Sequence, residues 1–566
     1  VTINGGKVTL KPDTGTDAFG LRIDLVGLVT WAKSGGKSGT QNARGVAVDQ
    51  AGDAYIASDF HGAMNWGGNG VASQPYNRAG LVLRVDGAKG HEKWRRHIQR
   101  TDQQQMLDVA VGPDDSVVVT GSFFRTINLG GGRITNRHPY TPTSSDMPRW
   151  DGFIAKYDAK GTYLWGKAIQ PVSNLNGERH PVAVAIDVEG NVFVGGRLNG
   201  ETDLGGGRLI PSGNWDVFVA KFSAQGKHLW SRIYGDGNSQ QLTDLKVDEL
   251  GNVWLVGHFQ GTINFGSSDK TKMSSAGGWD AYLARLDAKG GLLWSKRYGD
   301  GSSQYFDALS FDPFGNALIG GHFWGSIQTG AAKHSSKDYG ADTLIMKVKP
   351  NGATDWSKSF ARNGGRSGHC GSTARDDVVG GVVGNKYGQW YAAISFDSRY
   401  GCSCGCTSKG WQPLNLGNGN LPGNDKENYN IGIGRFAAAG MTMWSAAYNG
   451  GGGSDQHARS IETDKAGSII MLTQLHGNYT IGTTHKCSGW DLALVKYDTN
   501  NKIVWSKKFG GGGTDYTLNN ASGLAVDSKN HIFVGATFNS TDLELGGAKK
   551  LVTAGSYDAF LTKRSP

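Results

Sequence analysis

The sequence repeats one pattern eight times, and the period of that pattern restricts the fold more than any other feature. The stretch from Gly226 to Ile263, GKHLWSRIYGDGNSQQLTDLKVDELGNVWLVGHFQGTI, returns almost unchanged from Gly290 to Ile327. A tryptophan marks each copy, at Trp31, Trp94, Trp165, Trp230, Trp294, Trp356, Trp444 and Trp505. Consecutive tryptophans lie 61 to 71 residues apart, except for 88 between the sixth and the seventh. Self-similarity at a nearly constant period is typical of repeat architectures.

Each copy contains four short segments with strand character, lettered a to d from the Gly-rich loop onward. Segment a is small and apolar and often ends in Asp, as in GVAVD at Asp49 and LKVD at Asp248. A turn, often Gly-Asn as at 251–252, leads to segment b, for example NVWLVGHF. Segment c alternates, as in DGFIAKYD, and segment d carries the tryptophan. Glycine in these turns supplies the positive φ that tight hairpins need.

Four-stranded units repeated around an axis are the blades of a β-propeller, with the small-residue strand innermost. We therefore predict an all-β chain that forms one eight-bladed propeller of antiparallel blades over residues 1–566, with the tryptophans packed between blades. Seven blades plus extra strands is the alternative. Residues 1–33 and the C-terminal strands are expected to share one composite blade that closes the ring. One c segment is surplus, because 17–24 and 558–565 both fit the pattern.

The repeat resembles a known family. WDAYLARLDAKGGLLWSKRYGDGSSQ, followed by DALSFDPFGNALIGGHF, resembles the bacterial β-propeller repeat called SBBP. The resemblance covers nearly the whole chain and is weaker around Gly112 and Gly384, where the Asp of segment a is missing. It implies a secreted or envelope-associated propeller, and it carries no established catalytic residues.

A second similarity is to the blade motif of quinoprotein dehydrogenases. LDAKGGLLWSK is similar to that motif, and those enzymes also use eight blades and a docking tryptophan. The Thr of their turn is missing here, and no two cysteines are adjacent. The similarity keeps a quinone-dependent enzyme as an alternative.

Composition excludes some function classes. The chain has a formal charge of +9 but no dense Lys/Arg run, so nucleic acid is not an expected partner, whereas an anionic surface glycan is. No apolar run is long enough for a transmembrane helix. The chain starts at Val1 without a leader, which suits a mature exported protein.

The longest copy contains a cysteine-bearing insertion, residues 397–430, which includes the sequence YGCSCGCTSKGW at 400–411. Its Cys402, Cys404 and Cys406 are expected on the same propeller face as Cys370 and Cys487. Two disulfides and one unpaired thiol would suit an oxidising compartment. A structural metal ion, with His369 or His485 as a further ligand, is the second hypothesis, although the spacing is not the usual CxxC. Redox activity or covalent attachment is the third; no CxxCH is present for c-type haem.

The end of segment b carries a polar residue whose identity varies from copy to copy. In chain order these residues are Asp59, Ser122, Arg197, His258, His322, Ser395, Gln474 and Thr537. They would form a ring at one mouth of the propeller, and Asp59, Arg197, His258, His322 and Gln474 are the candidate ligand-binding residues. The alternative is that the ring satisfies backbone groups of the loops.

These patterns favour a non-catalytic binding or structural module, secreted or in the cell envelope, with no catalytic residue and no cofactor assigned. Its expected partners are other envelope proteins or an anionic glycan, and it could form homo- or hetero-oligomers. An enzyme with its site at the propeller mouth is one alternative. Self-assembly through the surplus c strand is another.

Overall fold

Eight four-stranded sheets form the protein in the computed structural model. The structure describes all residues except 1, 5–6, 10–28, 67–69, 74–76, 99–102, 137–148, 173–176, 337–339, 361–376, 398–413, 420, 422–428, 449, 452–454, 512–514, 517–522, 539–542, 545–549 and 552–557. Within those described ranges the only helical element is one 3-10 turn, Asp269–Thr271. The chain is thus an all-β, eight-bladed propeller, as the repeat predicts, and not a seven-bladed one.

The first four blades follow one another along the chain, each with strands a, b, c and d. Blade 1 consists of Gly36–Val48, Ala54–Met64, Arg78–Val85 and Glu92–Ile98. Blade 2 consists of Gln104–Val111, Val117–Phe123, Asp151–Tyr157 and Tyr163–Ile169. Blade 3 consists of Arg179–Ile186, Val192–Leu198, Asp216–Phe222 and His228–Tyr234. Blade 4 consists of Gln240–Val247, Val253–Phe259, Asp280–Leu286 and Leu292–Tyr298.

The second half of the ring repeats this order. Blade 5 consists of Gln304–Phe311, Ala317–Phe323, Asp342–Val348 and Thr354–Phe360. Blade 6 consists of Val378–Gly384, Trp390–Asp397, Tyr429–Phe436 and Thr442–Tyr448. Blade 7 consists of Gln456–Thr463, Ile469–Ile481, Thr483–Tyr497 and Ile503–Phe509. Blade 8 consists of Leu524–Val526, Ile532–Phe538, Asp558–Arg564 and Val29–Ser34.

Short strands accompany the blades. Among the described residues, five small hairpins lie between strands b and c. They are Thr126–Asn128 with Arg133–Thr135, Thr202–Asp203 with Arg208–Leu209, Thr262–Asn264 with Lys272–Ser274, Ser326–Thr329 with Ala332–Ser335, and Leu543–Glu544 with Lys550–Leu551. Val71–Ala72, Gly450–Gly451 and Asp515–Tyr516 extend blades 1, 7 and 8, and Thr2–Asn4 pairs with Lys7–Thr9. In blade 3 the hairpin lies against strand d, since a Cβ on Gly206 would come within 2.0 Å of the His228 ring. The hairpin thus covers part of an edge strand that would otherwise invite pairing.

Blade 8 is the composite blade that the terminal segments predict. The N-terminal strand Val29–Ser34 pairs with Asp558–Arg564, which pairs in turn with Ile532–Phe538. The C-terminal copy of segment c therefore completes the ring, a choice that the sequence left open. The other copy, residues 17–24, lies outside the described residues.

The tryptophans of strand d dock on the next blade, which confirms the prediction that they pack between blades. The Trp230 indole nitrogen donates to the Ala288 carbonyl at 3.0 Å, in the turn between strands c and d of blade 4. Gly290 in the same turn has a φ of 78°, and a Cβ there would lie 2.7 Å from the Trp230 ring. Glycine is needed here both for its left-handed backbone and for the close approach of the indole. Equivalent bonds run from Trp31 to Gly87, Trp94 to Ala159, Trp165 to Ala224, Trp294 to Pro350 and Trp356 to Ala438.

In the six blades that have an Asp at the end of strand a, this Asp is part of a repeated ion pair with strand c. In blade 5, Lys347 of strand c lies 3.1 Å from Asp312, whose side chain is completely buried. The corresponding pairs are Arg84–Asp49, Lys221–Asp187, Arg285–Asp248 and Lys496–Asp464. In blade 6 the Asp is missing, and Asn385 accepts the turn hydrogen bonds instead. The Asp residues of the repeat are therefore structural.

Candidate binding face at the mouth of the channel

The register of the strands places the predicted polar ring on one face of the propeller. In blade 4, Phe259 at the end of strand b pairs with Gln240 at the start of strand a and with Asp280 at the start of strand c. The loops from b to c and from d to a therefore emerge together. We call this side the top face and the side of the a-to-b turns the bottom face. The prediction about loop positions is confirmed.

Two of the candidate ligand-binding residues are engaged within their own blades. The Asp59 carboxylate is fully buried and accepts hydrogen bonds from Asn42 at 2.9 Å and from Arg44 Nε at 2.5 Å. Gln474 accepts from Arg459 Nε at 2.9 Å. In both cases the donor lies on strand a of the same blade. These contacts orient the side chains at the mouth without a ligand.

Two further members of the ring connect adjacent blades. The Ser395 hydroxyl accepts a hydrogen bond from the Ala458 amide at 3.0 Å. The Thr537 hydroxyl accepts one from the Ala43 amide at 3.2 Å, across the junction between blades 8 and 1. Backbone amides of buried strands need such partners. At these positions the geometry agrees with the alternative hypothesis, that the ring satisfies backbone groups.

Arg197 has a different environment. Its guanidinium lies over the Trp215 ring, 4.8 Å from the centroid, and donates to the Gln241 side chain on blade 4. Its Nε is buried and has no hydrogen-bond partner among the described residues. An Arg held over an aromatic face keeps its remaining donors in a fixed orientation. The guanidinium is thus fixed at the mouth, where the charge of Glu178 acts on it.

His258 is held between two aromatic rings. The Trp279 centroid lies 4.9 Å from the imidazole centroid, and that of Tyr305 on blade 5 lies 4.6 Å away. Burial lowers the pKa of His258 to about 3, and the charges of His322 and Arg197 act in the same direction. The imidazole is therefore neutral at physiological pH, with one nitrogen as donor and the other as acceptor.

His322 differs from His258 because an acid lies beside it. Its Nδ1 is 2.6 Å from the Asp307 carboxylate, and its ring stacks on Tyr305 with a centroid distance of 5.0 Å and an interplanar angle of 16°. Trp324 contacts the other edge of the imidazole at 5.4 Å. Two histidines at equivalent positions thus provide different hydrogen-bonding groups.

Together these side chains form a continuous arc on the top face of blades 3 to 5, which we call the aromatic belt. Its members, all half-buried, are His180, Arg197, Trp215, His258, Trp279, Tyr305, His322 and Trp324. Sequence reasoning identified Arg197, His258 and His322 but missed the aromatic residues. A signal was present, since Trp215 and Trp279 each precede the Asp that begins strand c. Blade 7 repeats part of the arrangement, with Trp490 against His457 at 5.6 Å.

The central channel lies below this mouth. Strands a of blades 2 to 7 line it, and it contains a cavity of about 420 Å³. A β-bulge in each of these strands adds one residue that lines the channel, such as Asp307 and Arg459. Strand a is thus the innermost strand, as its small residues predict.

The channel wall carries charge. Lys246 lies 3.5 Å from Asp244, and attraction to that carboxylate raises the pKa of the ammonium. Burial raises the pKa of Asp108 to about 6 and that of Glu462 to about 7. Three acids and one ammonium thus lie among apolar side chains of the channel wall, such as Val182, Leu309 and Ile461.

The cysteine hypotheses fall mostly on parts of the chain that the structure does not describe. Cys370, Cys402, Cys404 and Cys406 all lie there, together with most of the 397–430 insertion. Cys487 lies in the long strand c of blade 7, which extends to Thr483, and not in a loop as predicted. The nearby His485 stacks on Tyr479 at 4.9 Å. Among the described residues no group of three His, Cys, Asp or Glu side chains could hold a metal ion. Disulfides and a cysteine-bound metal stay predictions.

No protein-family model matches the chain. It is 26% identical over 247 residues to the regulatory protein FlaEY of Caulobacter vibrioides, a match that covers 41% of this chain and 24% of that protein. It is 20% identical over 489 residues to the uncharacterized WD repeat-containing protein L264 of Acanthamoeba polyphaga mimivirus, covering 73% of this chain and 33% of that protein. The chain therefore spans about a quarter to a third of the length of these relatives.

Solved structures similar to this chain include propellers. Sqt1 from Chaetomium thermophilum aligns with a TM-score of 0.41 and 9% identity, over 88% of this chain and 97% of that one. The β-propeller domain of the Trilobed protease from Pyrococcus furiosus aligns with a TM-score of 0.32 and 9% identity, over 79% and 97% of the two chains. In the described part of this chain, no helix is long and apolar enough to cross a membrane.

Proposed function

We propose that the protein is a non-catalytic binding module, secreted or held in the cell envelope, that captures its ligand at the aromatic belt. The observation that carries the proposal is the belt itself, since three indole rings and a guanidinium are partly exposed around one mouth of a rigid ring. Trp, Tyr and Arg dominate the energetics of binding surfaces. Rigid scaffolds that present such residues lose little conformational freedom on binding.

An anionic surface glycan fits the belt best. Indole faces offer flat apolar contact to the C–H faces of sugar rings, and Trp215 and Trp279 occupy equivalent positions in adjacent blades. The Arg197 guanidinium can bind a uronate carboxylate. His258, neutral because of its low pKa, can exchange hydrogen bonds with hydroxyl groups. The formal charge of +9 favours an anionic ligand as well. An envelope protein that presents acidic and aromatic residues is the other partner that the proposal includes.

The secreted or envelope location rests on the similarity of the blade sequence to SBBP repeats. Localisation of the tagged full-length protein in its native cell, by fractionation and by protease accessibility on intact cells, tests it. Recovery in the cytoplasmic fraction alone would contradict this part of the proposal.

A double variant tests the belt. We expect Trp215→Ala with Trp279→Ala to weaken binding to acidic surface polysaccharide at least tenfold in calorimetric titration, since loss of a central aromatic contact costs about 1–2 kcal/mol or more. Leu293→Ala, at an apolar position 48% exposed on the outer rim, is the matched control and should bind as the wild type does. Arg197→Gln should weaken binding to acidic glycans more than to neutral ones.

Two outcomes would contradict the proposal. Equal binding by the double variant and the wild type would show that the aromatic belt is not the binding site. A quinone absorbance band in protein purified from its native source, together with dehydrogenase turnover, would instead support an enzyme with its site at the mouth.

A further inference from the structure

The bottom face carries exposed apolar side chains on four consecutive blades. They lie in the turns between strands a and b, where Val188 is 68% exposed, Leu250 78%, Phe314 66% and Tyr387 57%. Single exposed apolar residues are normal on a protein surface, but a contiguous group marks an interaction site. This group, the apolar arc, lies on the face opposite to the aromatic belt and goes beyond the function proposed for that belt.

The repeat itself does not require these residues. At the position of Leu250, which Phe314 and Tyr387 share, the turns of blades 1, 2, 7 and 8 have Ala51, Asp114, Ala466 and Lys529. Blade 3 has Glu189 there, since Val188 lies one residue earlier in its turn. Those turns adopt the same backbone with small or charged side chains. The apolar arc is thus restricted to blades 3 to 6, one side of the ring.

Neighbouring turns of the arc are in contact. Phe314 of blade 5 lies against the turn of blade 6, where a Cβ on Gly388 would come within 2.6 Å of its ring. Between the turns of Leu250 and Phe314 runs a groove of about 470 Å³, whose wall includes Phe311 and Pro350. The groove is large enough for an aromatic side chain from another molecule.

The charges beside the arc are arranged antisymmetrically about blade 5. Glu249 precedes Leu250 in the turn of blade 4, and Lys386 precedes Tyr387 in the turn of blade 6. Both charged residues are exposed. Within the described part of the chain neither has an ion-pair partner. Blades 4 and 6 are the two neighbours of blade 5 in the ring, so an acid and a base flank Phe314 at the same angle on either side.

We propose that the apolar arc is the interface of a homodimer with two-fold symmetry. A two-fold axis at the turn of blade 5 would bring Phe314 of the two copies together. It would place Glu249 of each copy opposite Lys386 of the other, and Leu250 opposite Tyr387. Such an isologous interface is self-complementary, because the same patch serves both copies. Across blades 4 to 6, a second copy therefore matches the arc in apolar character and in charge, whereas Val188 of blade 3 would lie opposite blade 7.

Dimerisation through this face leaves both aromatic belts accessible. The belts would point away from each other, so one dimer could bind two ligands. Failure of the dimer would leave the binding function untouched, and loss of ligand binding would leave the dimer intact.

Charge reversal tests the pairing directly. Mass is measured by sedimentation velocity and by light scattering on the full chain over a range of protein concentrations. We expect the wild type to dimerise and the single variants Glu249→Lys and Lys386→Glu to raise the dimer dissociation constant at least tenfold, because each places like charges opposite one another. The variant with both reversals should dimerise within about threefold of the wild type.

A mixing experiment makes the test independent of folding defects. The two single variants are complementary, since a Glu249→Lys chain opposite a Lys386→Glu chain restores both ion pairs. An equimolar mixture should therefore form heterodimers under conditions where each variant alone is monomeric. Lys270→Glu, in the exposed hairpin between strands b and c of blade 4 on the top face, is the control and should dimerise like the wild type.

Three results would overturn the proposal. The first is a wild type that stays monomeric at every concentration. The second is a dimer that both single reversals leave unchanged, and the third is a mixture that stays monomeric. Phe314→Ser provides a further check, since loss of the central ring should abolish the dimer while circular dichroism retains the β-sheet signal.

Discussion

Replacement of Gly290 by alanine is expected to destabilise the propeller by about 2–5 kcal/mol. The residue has a φ of 78°, and a left-handed conformation costs an alanine about 1–2 kcal/mol. A Cβ would also lie 2.7 Å from the Trp230 ring, so the indole must shift, and overpacking of this kind costs about 1–3 kcal/mol. The two costs add because they arise from separate contacts.

Gly315 provides a control that separates these two contributions. Its φ is 75°, nearly the same as that of Gly290, but a Cβ there would meet no atom within 4 Å. Gly315→Ala should therefore show only the backbone cost, about 1–2 kcal/mol. The difference in unfolding free energy between the two variants measures how tightly Trp230 packs on the turn of the next blade.

Urea denaturation followed by tryptophan fluorescence and by circular dichroism is the suitable assay. The shift in midpoint multiplied by the m-value gives the change in unfolding free energy, provided that both probes report one transition. Equal losses of unfolding free energy in the two variants would refute the reasoning, since the docked indole would then contribute nothing. The reasoning would also be refuted if, in a protein that carries Trp230→Ala, Gly290→Ala still lowered the unfolding free energy more than Gly315→Ala does.

Two further predictions concern buried charge. Lys347→Met should lower the free energy of unfolding in urea by about 3–5 kcal/mol, because it leaves the buried Asp312 carboxylate without its cation. The control Lys349→Met removes a half-exposed partner of Asp355 and should lower it by at most about 1 kcal/mol. Similar losses in the two variants would contradict the structural role of the repeated pair. Burial raises the pKa of Asp216 from 3.8 to about 6, so the folded state binds this proton more tightly than the unfolded state does. The stability that the proton contributes is therefore present below pH 3.8 and is lost as the pH rises through about 6. Asp216→Asn should therefore become more stable relative to the wild type as the pH rises across this window. Urea midpoints of both proteins at the two ends of the window measure this, and a difference in midpoint that does not change with pH would contradict the assignment.

Repetition made much of the architecture predictable. The number of blades follows from the count of repeats along the chain. The strand order, the docking of Trp230 and the positive φ of turn glycines such as Gly251 follow from patterns confined to one or two copies. Turn geometry and strand alternation are local, so a short stretch of sequence determines them. The ring also closes as the terminal segments predict, although the choice of Asp558–Arg564 as the c strand required the structure.

The candidate site was predictable only in part. The ends of the b strands indicated Arg197, His258 and His322, but not which neighbours each would meet. The same kind of position holds Asp59, whose carboxylate is buried against Arg44. Identical backbone positions thus have different environments, because the side chains on adjacent strands differ from blade to blade.

What the sequence by itself determined is the repeated unit and the number of its copies. The unit depends on hydrophobic periodicity and turn residues within a few dozen positions, and its copies can be counted along the chain. The aromatic belt and the apolar arc were decided by the tertiary structure. Trp279 and Tyr305 meet at His258 only because two blades pack side by side around the channel, and Phe314 reaches the Gly388 turn for the same reason. Contacts between blades join residues that are distant along the chain, and their geometry depends on the closed ring as a whole.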